Sequence, residues 1–149
     1  LLMLVLVTMV AVNVGAPAAL APSGIELVAQ GTAAFDAGNY ATAQVVLAKA
    51  IASEPAAAWA RDARTLAGAA QVLMSAPDAI PGLSVSAESF DAAAKRAQRG
   101  GDARRATMAR VGAARHVSGR AAAARWCALA TDPSLSAALR AEAERGCVR

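Results

Sequence analysis

A lone histidine, a pair of cysteines and scattered carboxylates are the only groups in this chain with a claim to chemistry, and their spacing argues against catalysis. His116 has no serine or cysteine at a spacing that nucleophilic sites use, so it reads as a groove or surface residue. Glu142 and Glu144 stand two positions apart and do not share a helix face, which denies them the role of paired acid and base. Gly100-Gly101 lacks the lysine-serine pair that follows a phosphate-binding glycine loop. Cys127, Cys147 and His116 are too few and too scattered for a metal centre. The expectation is a chain without enzymatic activity, metal, cofactor or small-molecule substrate.

The cysteines leave alternatives open. If the chain turns near Pro133, Cys127 faces about Leu139 and Cys147 lies several residues beyond, an axial offset on the order of 10 Å at the helical rise. A disulfide requires α-carbons within roughly 7 Å. A bridge therefore forms only if Gly146 lets the tail fold back; otherwise the thiols stay free or link two chains.

Charge is divided along the chain. Up to Ala94, Lys49, Arg61 and Arg64 face seven acids, whereas from Lys95 onward twelve bases face four acids, and the whole carries +4. A basic half suits an anionic polymer, lipid or acidic partner, with Arg104, Arg105 and Arg110 as its candidate surface. Against a single patch, Arg105, Arg110, Arg115, Arg120 and Arg125 recur every five residues. One helix face needs intervals of three or four, so these side chains wind around their helices. With no recognition motif, nucleic acid is not an expected partner.

The elements that carry these residues are helical. Hydrophobic residues make up 56% of the chain but aromatics only 3%, so much of the apolar count is alanine, the strongest helix former. Ser23-Gly24-Ile25-Glu26 has the form of a capping box and predicts a helix from Gly24 to about Ala37. Gly38 ends it, Asn39 caps the next, and Pro55 stops that one after about Ser53. Further helices are expected over Ala57 to Ser75, Ala87 to Arg99, Asp102 to about Val117, Arg120 to Thr131 and Ser134 to Arg145. The Pro/Gly/Ser-rich stretch "APDAIPGLSVS" separates the third from the fourth.

Ahead of them, Leu1 to Val14 is uncharged and apolar, followed by small residues at Ala16-Pro17-Ala18. Residues 1–22 are expected to be a secretory signal, cleaved after Ala18, or an uncleaved membrane anchor through residues 1–21. Leu1 is not an initiator methionine, so a basic segment is expected to precede it. Either reading puts residues 23–149, the expected helical repeat domain, outside the cytoplasm, in the periplasm or beyond, with possible anchoring in the inner membrane.

Gly31, Phe35, Gly38, Tyr40, Ala43, Leu47, Ala50 and Pro55 together resemble the tetratricopeptide repeat, as found in exported bacterial-type proteins, a helical hairpin of 34 residues. The physical reason is local: Gly31 and Ala43 are small where paired helices cross, while Phe35, Tyr40 and Leu47 fill the space between them. Gln30 and Ala34 depart from the pattern. Gly68 opens a second, longer unit, and Gly112, Gly119 and the ending Ala128 to Pro133 outline a third. The resemblance implies an all-α stack of about three antiparallel hairpins in a short right-handed superhelix, closed by a C-terminal capping helix and preceded by the N-terminal hydrophobic helix. It also implies a concave groove presenting Thr32, Phe35, Asp36, Thr65, Ala69, Val72, Ala113 and His116 to a protein or peptide partner. The lysine and asparagine clamp with which some members hold a terminal carboxylate is not seen at these positions. A plain helical bundle is the alternative.

Overall fold

A computed structural model describes residues 20–148. The apolar run and the Ala16-Pro17-Ala18 sequence, on which the signal-or-anchor expectation rests, lie outside them. Among the described residues the fold is all-α, and no helix is long and apolar enough to cross a membrane. The helices are α1 (Gly24–Asp36), α2 (Tyr40–Ser53), α3 (Ala60–Met74), α4 (Ala87–Arg99), α5 (Ala103–Arg115), α6 (Gly119–Ala130) and α7 (Ala137–Cys147). A 3-10 segment, Pro77–Gly82, precedes α4 and lies against α5.

The punctuation works largely as the residue types dictate. Ser23 and Glu26 close the capping box of α1, with the Ser23 amide donating to the Glu26 carboxylate at 2.7 Å. Gly38 takes φ +82°, a conformation that costs a residue with a β-carbon dearly, and the chain reverses there into α2. Asp102 caps α5 by accepting from the Arg105 amide at 2.9 Å. Asn39 departs from expectation, since its side chain makes no cap and its carbonyl instead accepts from the Ala43 amide at 2.9 Å. The third helix starts at Ala60 rather than Ala57, because Ala57 and Ala60 close short turns back to Glu54 and Ala57. The last starts at Ala137 rather than Ser134, because Ser134 bonds to the Asp132 carboxylate through both amide and hydroxyl, at 2.9 and 2.6 Å.

From α1 to α5 each helix packs on the next in sequence. Their shared core is alanine-rich, with Phe35, Leu47, Val72, Ile80, Phe90 and Met108 as its large members. Glycines set how close the helices come. A β-carbon at Gly31 would fall 2.6 Å from Cγ of Leu47, and one at Gly112 would fall 2.5 Å from the Phe90 ring, which is fully buried. Gly31, Ala43, Leu47 and Ala50 are all buried, and the Tyr40 ring meets Phe35 edge-on with centroids 5.5 Å apart.

The C-terminal part is organised differently. Helix α6 packs more fully on α7 than on α5, so α7 is the partner of α6 and not only a cap. Trp126, Leu129, Leu135 and Ala143 join Val111 and Ala114 of α5 in a small second core. Polar ties fasten this hairpin to the rest. Arg125 of α6 grips Asp91 of α4 at 2.6 and 2.7 Å, and Arg115 of α5 grips Glu142 of α7 at 2.9 and 2.7 Å. The Thr107 hydroxyl donates to Asp132 at 3.1 Å.

Cys127 and Cys147 form a disulfide, with α-carbons 4.5 Å apart. The expected fold-back at Gly146 is not how they meet, for α7 stays helical to Cys147. Instead the non-helical stretch from Thr131 to Ser136 delays the return, and the residue midway between the cysteines is Ala137, the first of α7. Gly146 contributes space: a β-carbon there would strike the Trp126 side chain. For a sequence separation of 20 the cross-link contributes about 3 kcal/mol through the unfolded chain's lost freedom.

Two stability measurements check this packing. Gly112→Ala gains helix propensity of roughly 1 kcal/mol, but it overpacks a ring that cannot retreat, at a cost of about 1–3 kcal/mol. A lowered urea midpoint is expected, whereas Gly82→Ala, whose β-carbon meets nothing within 4 Å, should leave it unchanged or raise it slightly. The second measurement is acid titration. Hydrogen bonds from Arg115 hold the Glu142 carboxyl below its ordinary value, and the Ser134 hydroxyl, joined by Thr107, does the same for Asp132. Carboxyls with depressed folded pKa values stabilise above their unfolded pKa and lose that contribution as pH falls through the folded one. The midpoint should therefore hold from pH 7 to about 5 and decline below about 4. Glu142→Gln should flatten part of the slope.

Candidate binding cleft

Three successive helices enclose a cleft of about 510 Å³. Its floor is one face of α3, where Arg61, Arg64, Thr65, Gly68 and Gln71 recur at helical intervals. Gln44, Ala48 and Ile51 of α2 make one wall. The other is the link and first turn of α4, with Ser84, Val85, Ser86, Glu88 and Ser89.

The end of the cleft is shaped by Gly68. A β-carbon there would collide with the Ser89 hydroxyl, so α4 can press that serine onto α3. Ser89 is buried and donates to the Thr65 carbonyl at 2.9 Å, while its own amide donates to Ser86 at 3.1 Å and caps α4. At the mouth, Arg64 donates to the Pro55 carbonyl at 2.7 Å, and Arg61 lies 3.6 Å from Glu88. The Arg61–Glu88 pair is largely exposed, and water screens it. The Glu88 carboxyl is held below its ordinary value by its own backbone amide and by the Ser86 hydroxyl. Apolar side chains from Ile51 and Val85 therefore sit among amides, hydroxyls and guanidinium groups, a lining that suits a polar backbone with small side chains.

A larger cavity, about 650 Å³, lies between the 3-10 segment, α5 and the start of α7. Its charged groups are already committed, Arg104 to Asp78 at 2.8 and 3.0 Å and Arg115 to Glu142. Among the described residues no group of three or more His, Cys, Asp or Glu gathers in one place.

The residues expected to line a groove are not brought together. Thr65 alone among them lines the cleft. Phe35 is 3% exposed, and Ala69, Val72 and Ala113 are fully buried. These four belong to the core and offer a partner no surface. The reason lies in how α3 and α5 are packed: each is flanked by the helices before and after it, so the face expected to be open is interior. Thr32 is half-buried on α1, with its hydroxyl donating to the Val28 carbonyl at 2.8 Å. Asp36 is exposed at the end of α1, and its carbonyl accepts from Arg96 at 3.2 Å. His116 is at the end of α5, its Nδ1 2.9 Å from the Gly112 carbonyl and its ring 4.9 Å from that of Phe90.

Each arginine of the expected basic surface has a partner: Arg104 pairs with Asp78, Arg105 with Asp102 and the Ser75 carbonyl, and Arg110 donates to the Gln98 amide oxygen at 2.7 Å. The Arg104–Asp78 pair is largely exposed, and water screens it as it does Arg61–Glu88. Sequence reasoning missed the α2 wall and the serine rim. For the rim a signal existed, because a Pro/Gly/Ser-rich connection between two long helices places exposed hydroxyls beside their faces. No family model, curated protein or solved structure matches this chain.

Proposed function

We propose that this chain is a non-enzymatic interaction scaffold, a short tetratricopeptide-like stack that receives an extended segment of a protein partner in the cleft over α3. The observation that carries the reading is the cleft itself. It is walled by consecutive helices, and its mixed lining of Gln44, Gln71, Ser84 and Ser86 around Ile51 and Val85 matches the alternating needs of an extended peptide. The close helix crossings at Gly31 and Gly68, and the Gly38 reversal, support the likeness to the repeat. Arg104, Arg105 and Arg110 each have a partner of their own and line no part of this cleft. A disulfide suits a working place outside the cytoplasm, in the cell envelope.

The test uses a displayed library of unstructured peptides selected on the purified chain, followed by affinity measurements on the peptides retained. Ala48 is exposed and lines the cleft, so Ala48→Trp fills the space without entering the core. It should weaken the selected peptides more than tenfold while the circular dichroism stays that of the parent. Gln71→Ala should weaken them severalfold. Peptides that bind Ala48→Trp as tightly as the parent would remove the cleft from consideration.

A further inference from the structure

We infer that the Cys127–Cys147 disulfide is a redox-sensitive clasp, and that its reduction releases α7 from Trp126 while α1 to α4 keep their fold. The inference is independent of the peptide cleft and rests on how the terminal hairpin is held.

Apart from the disulfide, a small core and three partly exposed polar ties hold the hairpin. Its buried residues meet α5 at Val111 and Ala114, and it reaches the main core through the half-buried Leu139, which packs against both. Helices α1 to α5, by contrast, share a continuous core that includes Leu47, Phe90 and Met108. Elements with few buried apolar contacts open locally, at lower cost than the whole domain. Within the hairpin the disulfide sits where it controls one side chain. Cys127 directly follows Trp126, and Gly146, which directly precedes Cys147, packs against the Trp126 ring. With the bond closed, Trp126 is 8% exposed. With it open, the end of α7 retains the Arg115–Glu142 pair one turn earlier, and nothing covalent presses Gly146 onto the ring.

The chemistry is accessible. Both cysteines are half-buried rather than sealed in the core, and a dithiol is the reductant that suits them. Its thiolate attacks one sulfur, the Sγ–Sγ bond breaks, and the other cysteine leaves as a thiolate that takes a proton. The second thiol of the reagent then displaces the remaining cysteine. Two electrons and two protons pass to the protein, and the dithiol becomes a disulfide. Beside the clasp lies a depression of about 290 Å³ lined by Val117, Ala122, Ala123, Trp126 and Gly146, which release of α7 would widen.

Amide hydrogen exchange followed by mass spectrometry tests this on the full chain, with dithiothreitol as the reductant and iodoacetamide to count thiols. The oxidised protein should show no alkylation. After reduction both cysteines should alkylate, exchange across Ala137–Cys147 should quicken at least tenfold, and protection of α1 to α4 should be unchanged. The double variant Cys127→Ser/Cys147→Ser should show the same pattern without reductant. Free thiols in the air-oxidised protein would overturn the inference. So would unchanged protection of α7 after complete alkylation, or loss of protection along the whole chain together.

Discussion

Every helix contact in this protein has to be made with very little side chain. A core built mostly of alanine gains its cohesion from dispersion contacts that fall away within an ångström, so the helices must come close. Glycine permits this wherever a bulky neighbour sits opposite. Leu47 occupies the space at Gly31, the Phe90 ring that at Gly112, and Trp126 that at Gly146. Each pairing sets the height at which one helix crosses another, because a knob of that size has one place to go. Gly68 is the variation on this theme. Its occupant is the small, polar Ser89, held by the Thr65 carbonyl rather than by apolar contact. A serine fills less of the interhelical space than a ring does, and the cleft lies beside it.

How much of this the sequence discloses depends on the distance over which each signal acts. The α1–α2 hairpin was legible, apart from the Asn39 cap, because its determinants are neighbours: the Ser23–Glu26 box, the left-handed Gly38, and Gly31 with Leu47. Gly112 was legible as a crossing point but not as a crossing partner. Read as part of an α5–α6 unit, it packs instead on Phe90 of α4, the largest fully buried side chain among the described residues. A small residue announces that a helix comes near; it carries no record of which one. The arginines show the same limit. Their five-residue interval rightly excludes a single face, but Arg125 and Asp91 are 34 residues apart, and no local pattern points from one to the other.

Four of the expected groove positions lie in the core for a related reason. Carrying positions over from a repeat assumes that the same face of each first helix is open. Here α3 is packed by α2 on one side and α4 on the other, which turns Ala69 and Val72 inward and leaves the Arg61, Thr65 and Gly68 face at the cleft. Phe35, in turn, is spent on the Tyr40 contact inside the first hairpin. A site formed by the faces left over after packing cannot be read before the packing is known.

The α6–α7 hairpin shows what this economy of side chains requires. Its own core is small, so apolar area alone does not hold it. Other bonds add to it: Arg125 to Asp91, Arg115 to Glu142, Thr107 to Asp132, and the Cys127–Cys147 cross-link. Ion pairs and hydrogen bonds tolerate water where a hydrophobic contact would be lost, but each is modest and each answers to solution conditions. A covalent bond that restrains the unfolded chain supplies what they do not. Stability is thereby graded along the chain, insensitive at the continuous core of α1 to α5 and responsive at α6 and α7. That gradient follows from the α6–α7 hairpin resting on a small core, a few polar ties and one cross-link.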